Sequence, residues 1–168
     1  MLISEELTKA INAQVGREFG ASLQYVMLGA YFEREALPQL AAKFYMQADE
    51  EKMHALKLAH YVTEAGGVLK IPAVPAGRPD FASAAEAVQL AFDWESAVTK
   101  QINDLVGLAL AEKDHLAQIF FQWFVTEQLE EMTSMDQLLR TIKRAGDNLL
   151  WVEDYLARQG ATAPAPAA

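Results

Sequence analysis

Apolar residues along this chain recur every three to four positions almost without interruption, the period of a helix that turns one face to a core. The repeat predicts helices over about 4–33, 38–66, 84–112 and 115–144, and a shorter one over about 147–158. No alternation of period two persists, so the expected fold class is all-α. Ser83-Ala-Ala-Glu86 reads as a capping box for the third helix. Asp114 and Asp147 read as N-caps of the fourth and fifth, and Pro38 stands at the first position of the second. Glycine and proline concentrate between Gly66 and Pro79 and in the Ala/Pro-rich tail, residues 160–168, which is expected to be disordered. One domain is therefore expected over residues 1–159.

Loop lengths restrict the topology. The first two helices, and the third and fourth, are joined by a few residues each, so each pair should be an antiparallel hairpin. Between the hairpins lies a link of about 17 residues with an extended reach of roughly 56 Å. The second helix is roughly 42 Å long. The link can therefore traverse the bundle and let the third helix run parallel to the second, giving a four-helix bundle with one long crossover and a fifth helix appended.

Each expected inward face is apolar at its ends and polar at its centre. The first reads Leu7, Ile11, Val15, Glu18, Ser22, Tyr25/Val26, Gly29; the second Leu40, Phe44, Ala48, Glu51, His54/Ala55, Leu58, Tyr61/Val62. The third reads Val88, Phe92, Glu95, Val98, Ile102, Leu105, Ala109; the fourth Phe121, Phe124, Gln128, Glu131, Met135, Leu138, Ile142. The polar positions lie within about a turn of each helix midpoint, so packing should gather them in one layer. No Lys or Arg occupies the stripes; Arg17, Lys52, Lys57, Lys100 and Arg140 point off them. Two unpaired carboxylates about 4 Å apart repel by about 4 kcal/mol at an effective dielectric near 20. Such a cluster must protonate or bind cations. Two divalent ions would neutralise Glu18, Glu51, Glu95 and Glu131. Glu51-Lys-Met-His54 places a carboxylate and an imidazole one turn apart on one face, the grammar of di-iron carboxylate bundles, and Gln128-Leu-Glu-Glu131 is its counterpart. Oxygen-rich ligands with one imidazole and no sulfur suit Fe or Mn, with Zn as competitor.

Composition agrees with a cation-handling protein. The 168 residues carry 14 basic and 23 acidic side chains, net −9, a poor footprint for nucleic acid. Cysteine is absent, which excludes disulfides and thiolate-ligated metal. The longest uncharged helical stretch, Phe19 to Phe32, is too short to span a bilayer, and Met1-Leu-Ile-Ser-Glu-Glu lacks the basic start of a secretory signal. The expectation is a soluble cytoplasmic protein without membrane partners.

At these residues the chain resembles the non-haem bacterial ferritins, in a form closest to the actinobacterial ones. The carrying segments are Arg-Glu-Phe-Gly-Ala-Ser-Leu-Gln-Tyr around Glu18 and Tyr25, Ala-Asp-Glu-Glu-Lys-Met-His ending at His54, Asp-Trp-Glu-Ser at Glu95, and Phe-Gln-Trp-Phe-Val-Thr-Glu-Gln-Leu-Glu-Glu ending at Glu131. The likeness runs from residue 1 to about 158. It implies a ferritin-like fold and a ferroxidase centre that oxidises Fe2+ with O2. Glu18, Glu51 and His54 would ligate one iron, and Glu51 would bridge to a second held by Glu95 and Glu131. Gln128 would lie beside the O2-facing side, with Tyr25 as a supporting tyrosine. It further implies a hollow 24-subunit homo-oligomer storing ferric mineral, and a third iron position at Glu50, Glu127 and Glu130. Haem-containing relatives carry a Met directly after the bridging Glu; Lys52 stands there instead, so no haem is expected. His60 and His115 fall off the stripes and are read as surface or packing residues. Two other readings stay open on the residues alone: a di-metal oxidase or rubrerythrin-like peroxidase without storage, and a structural bundle that binds no metal.

Overall fold

The computed structural model describes residues 2–162 as five helices: α1 (Glu5–Arg34), α2 (Pro38–Glu64), α3 (Ala84–Ala111), α4 (His115–Ala145) and α5 (Leu149–Thr162). No strand occurs among the described residues. Helix starts follow the capping residues. Ser4 accepts from the Leu7 amide at 2.9 Å, Ser83 from Glu86 at 3.1 Å and Asp114 from Ala117 at 2.9 Å. The Glu86 carboxylate reaches back to the Ala82 amide at 2.6 Å. α2 stops two residues short of expectation because Gly66 turns left-handed, φ 83°, and Gly67 closes the turn onto Val62.

Asp147 is not the cap of the fifth helix. Gly146, φ 58°, reverses the chain, and Asn148 N–H closes that turn onto Ala145. The first helical bond then runs from Trp151 to Asn148, so α5 starts at Leu149. It continues through Gly160 to Thr162, past the expected start of the tail; residues 163–168 lie outside the described residues.

The crossover, residues 65–83, is held along α1 by two side-chain amides. Asn12 donates to Val68 O at 2.9 Å and accepts from Lys70 N–H at 3.1 Å. Just over one turn beyond the middle of α1, Gln24 donates to Arg78 O at 3.0 Å and accepts from Arg78 N–H at 2.7 Å. Each amide pairs with the loop as a neighbouring strand would. Between them Pro72 presses on Gly16, where a Cβ would stand 2.5 Å from the proline ring. Arg34 at the end of α1 then bonds Pro79 O and Asp80. The crossover thus travels the length of α1 and delivers α3 parallel to α2, as the link length predicts.

The apolar interior forms two clusters. One gathers Tyr25, Leu28, Phe32, Leu40, Phe44, Val88 and Met135. The other gathers Leu7, Ile11, Val15, Leu58, Val62, Ile102 and Phe121. Half-buried Trp94 packs against both. The expected stripes are the buried faces with few exceptions. Val26 is exposed, because α1 is rotated to bury Tyr25, while Ser22, Phe92 and Tyr61 are half-buried. α5 lies against α2 and α4. Leu37 cannot cap α2, and Glu153 of α5 does so instead: its carboxylate accepts from Gln39 and Leu40 N–H at 2.7 and 2.9 Å. No described helix is long and apolar enough to cross a membrane.

Candidate metal centre

Between the two apolar clusters lies a polar layer. Glu18 and Tyr25 enter it from α1, Glu51 and His54 from α2, Glu95 from α3, Gln128 and Glu131 from α4. None of the seven is more than 6% exposed. Each sits midway along a helix whose apolar neighbours at i±3 and i±4 pin the backbone, so the layer is positioned by both clusters. No Lys or Arg is buried there among the described residues; the Arg–carboxylate pairs all lie at the surface.

Three atoms in the layer have no partner: Glu18 Oε2, Glu51 Oε1 and His54 Nε2. Buried polar atoms are rarely left unmatched, because an unmade hydrogen bond costs about 1–3 kcal/mol. Glu18, Glu51 and His54 also bring one donor atom each within 4.8 Å of one another. His54 Nδ1 faces Glu51 Oε2 at 3.3 Å, and the edges of Trp123 and Phe124 hold the imidazole plane at 5.4 and 5.9 Å. Lys57 stands 4.3 Å above the Trp123 ring rather than in the layer.

The carboxylates from α3 and α4 are engaged. Glu95 accepts from the Tyr25 hydroxyl and from Gln128 Nε2 at 3.3 Å, and Gln128 also donates to Thr99 Oγ1 at 3.1 Å. Glu131 accepts from Gln47 Nε2 at 2.6 Å. Glu18 accepts from Gln14 Nε2 at 2.8 Å through its other oxygen. Gln14, Gln47 and Thr99 were missing from the sequence reading. A signal existed: Gln14 and Gln47 stand four residues before Glu18 and Glu51, and Thr99 four after Glu95, each one turn from an acid on the same face.

Burial and mutual repulsion raise every carboxyl in the layer. Burial and then the neighbouring Glu51 hold Glu18 well above the usual carboxylate range; burial and then Glu95 do the same to Glu51. Glu95 is also raised by burial, against the opposing hydrogen bonds from Tyr25 and Gln128. Burial, with Glu95 and Glu50 adding, takes Glu131 to about 7. Burial and the charges around it push the Tyr25 hydroxyl well above its ordinary value. The layer therefore holds protons or cations, and a divalent ion would give the unmatched atoms the partner they lack.

The three flanking acids divide. Glu50 and Glu127 are half-buried beside the layer, and Glu50 is raised by burial. Glu127 forms a second group with His54 and Glu131, one donor atom from each within 4.8 Å of the others. Glu130 is exposed and belongs to neither group. His60 and His115 are exposed, as expected.

Comparison with known proteins agrees with this architecture. A family model for the ferritin-like domain matches residues 8–145. Ferritin BfrB of Mycolicibacterium smegmatis is 41% identical over 155 residues, covering 92% of this chain and 86% of that protein. A bacterial non-heme ferritin of Bacteroides fragilis is 34% identical over 159 residues, covering 94% of this chain and all of that one. Among solved structures, an open pore ferritin from the archaeon Archaeoglobus fulgidus superimposes with a TM-score of 0.89 at 32% identity, covering 92% of this chain and 96% of its own.

Proposed function

The chain belongs to the ferritin family, and from that premise we propose that it is an iron-storage ferroxidase of the non-haem bacterial type. Glu18, Glu51 and His54 take the first Fe2+. Glu51 bridges to a second, held by Glu95 and Glu131. Each Fe2+ gives one electron, and the pair, with two protons, takes O2 to H2O2. The two Fe3+ then leave for deposition as ferric oxyhydroxide. The carboxylates supply charge balance and a fixed spacing, while the redox chemistry belongs to the iron. Tyr25 and Gln128 hold Glu95 toward the pair, and Gln47 does so for Glu131. Glu127 and Glu50, with Glu130 further out, form a transit position on the way from the centre. His54 belongs to both groups of donor atoms and so links the two positions.

The observation that carries this reading is the meeting of Glu18, Glu51 and His54, one donor atom of each within 4.8 Å of the others, in a layer where Glu18 Oε2, Glu51 Oε1 and His54 Nε2 have no protein partner. Storage further requires a container, and the proposal is a 24-subunit cytoplasmic shell of this chain alone. No haem, nucleic acid or membrane enters it. The test is aerobic Fe2+ addition followed by size-exclusion chromatography with iron detection. Iron should elute with a particle near 450 kDa. Iron on a monomer or dimer overturns storage and leaves a di-metal oxidase; no bound iron overturns the centre as well.

A further inference from the structure

A chain of hydrogen bonds on α1 runs from solvent into the polar layer. Exposed Arg17 donates from Nη1 to Gln14 Oε1 at 3.1 Å. Gln14, with no exposed surface, donates from Nε2 to Glu18 Oε1 at 2.8 Å. Glu18 Oε2 is left without a partner.

The polarity of this chain is set at its outer end. A guanidinium has five N–H donors and no acceptor. It can meet only the oxygen of the Gln14 amide, and the amide must then turn its nitrogen inward. Without that constraint a side-chain amide can rotate half a turn and present its oxygen to the Glu18 carboxyl. As built, Glu18 always meets a donor. One carboxylate oxygen is tied back to its own helix, and the other has no protein partner in the group Glu18 forms with Glu51 and His54.

We infer that Arg17 is a positioning residue of the metal centre, acting through Gln14 to present Glu18 as a one-oxygen ligand. The inference rests on the reading of Glu18 as an iron ligand. Arg17 is adjacent to Glu18 in sequence and lies about 100° away around the helix, so it never enters the layer. Its charge alone is a weak influence, since an exposed charge is screened by solvent and salt.

The inference separates three substitutions that a general charge effect would not. Arg17→Ala removes the donor. Arg17→Gln keeps a polar group that can donate or accept, and so no longer dictates the direction of the amide. Arg17→Lys keeps a donor that cannot accept. Full-length protein, made metal-free, is titrated anaerobically with Co2+, followed by ligand-field absorption and calorimetry. Affinity for the first Co2+ should fall about five- to tenfold in Arg17→Ala and Arg17→Gln, the loss of one charge-assisted hydrogen bond. Arg17→Lys should stay within about twofold of wild type and restore the wild-type absorption bands that Arg17→Ala alters. In a Gln14→Leu background, Arg17→Ala should change affinity less than about twofold. Gln14→Met serves where the leucine variant fails to fold, judged by circular dichroism of the metal-free protein.

Wild-type affinity in Arg17→Ala overturns the inference alone. So does an equal loss with and without Gln14, which would assign the effect to charge. A wild-type protein that takes up no Co2+ overturns the metal-centre reading, and this inference with it.

Discussion

The α1–α2 hairpin and the α3–α4 hairpin are built alike and equipped differently. Positions 77 apart correspond: Glu18 with Glu95, Glu51 with Gln128, His54 with Glu131. The connecting turns correspond too, each three residues long with a left-handed residue at the centre, Ala36 at φ 58° and Lys113 at φ 57°. The first hairpin offers three unmatched donor atoms. The acids of the second are occupied by hydrogen bonds, and two of the donors, Tyr25 and Gln47, come from the first hairpin. The difference teaches that two hairpins of matching spacing part company at the level of hydrogen bonds. On the proposed reading one metal position is open in the empty protein, and the other would have to exchange hydrogen bonds for a cation. The first hairpin should therefore load before the second.

The largest effect expected from this contrast concerns stability without metal. A carboxyl whose folded-state pKa is raised imposes nothing below the unfolded value, where both states are protonated. The penalty grows as pH rises toward the folded value and is complete above it. For Glu131 that window runs from 4.5 to about 7, or about 3 kcal/mol. Glu18 is likewise raised well above the usual carboxylate range, by burial and by Glu51. Metal-free Glu18→Gln and Glu131→Gln should both resist urea better than wild type at pH 8, and neither should gain at pH 4. A gain at pH 8 in one variant alone would mean that only that hairpin carries the strain of an empty centre. Fe2+ added anaerobically at neutral pH should raise the wild-type Tm, since it binds the folded state alone.

Next in size is the loss of a ligand. His54→Ala should slow Fe2+ oxidation at least tenfold at two irons per subunit and abolish tight binding of the first cation, with circular dichroism unchanged. Glu131→Ala should spare the first cation and weaken the second. Anaerobic titration decides, and the opposite pattern would place the open position in the second hairpin.

Much of this centre was legible in the sequence, and the reason is physical. A carboxylate in an apolar stripe without a neighbouring base is a conflict that only a proton or cation resolves, so Glu18, Glu51, Glu95 and Glu131 stood out from pattern alone. The amides did not. Gln14 and Gln47 are neutral, and a neutral polar residue beside a stripe raises no such conflict until its partner is known. The phase at Tyr25/Val26 stayed ambiguous because both are apolar enough to face inward; the hydrogen bond to Glu95 decides it. The crossover has no periodicity to read. Its length showed that it could traverse the bundle, but not that Asn12 and Gln24 would hold it. Asp147 misled because the start of α5 depends on the turn at Gly146 rather than on the strongest local cap.

A smaller effect tests whether the two turns are equivalent. Ala36→Gly and Lys113→Gly each remove a left-handed L-residue at an exposed site and should each stabilise by about 1 kcal/mol, visible as a higher urea midpoint. A gain in one alone would limit the likeness of the hairpins to their helices. The smallest effect is expected at Glu130. Exposed and outside both acid groups, its change to Ala should leave the first rapid oxidation of two irons per subunit intact in stopped flow, while Glu131→Ala, one residue on, should damage it. Loss of the burst in Glu130→Ala would mean the working phase of α4 differs from the one described.

The Glu153 carboxylate has a consequence beyond closing a helix end. It ties the opening of two segments into one event. α2 has no cap of its own, so whenever α5 lifts away the Gln39 and Leu40 amides lose their acceptor and the first turn of α2 frays with it. That helix also carries Glu51 and His54. The exchange rate of the Gln39 and Leu40 amide protons with deuterium is therefore a clock for the detachment of α5, read at the far end of the helix that holds the centre.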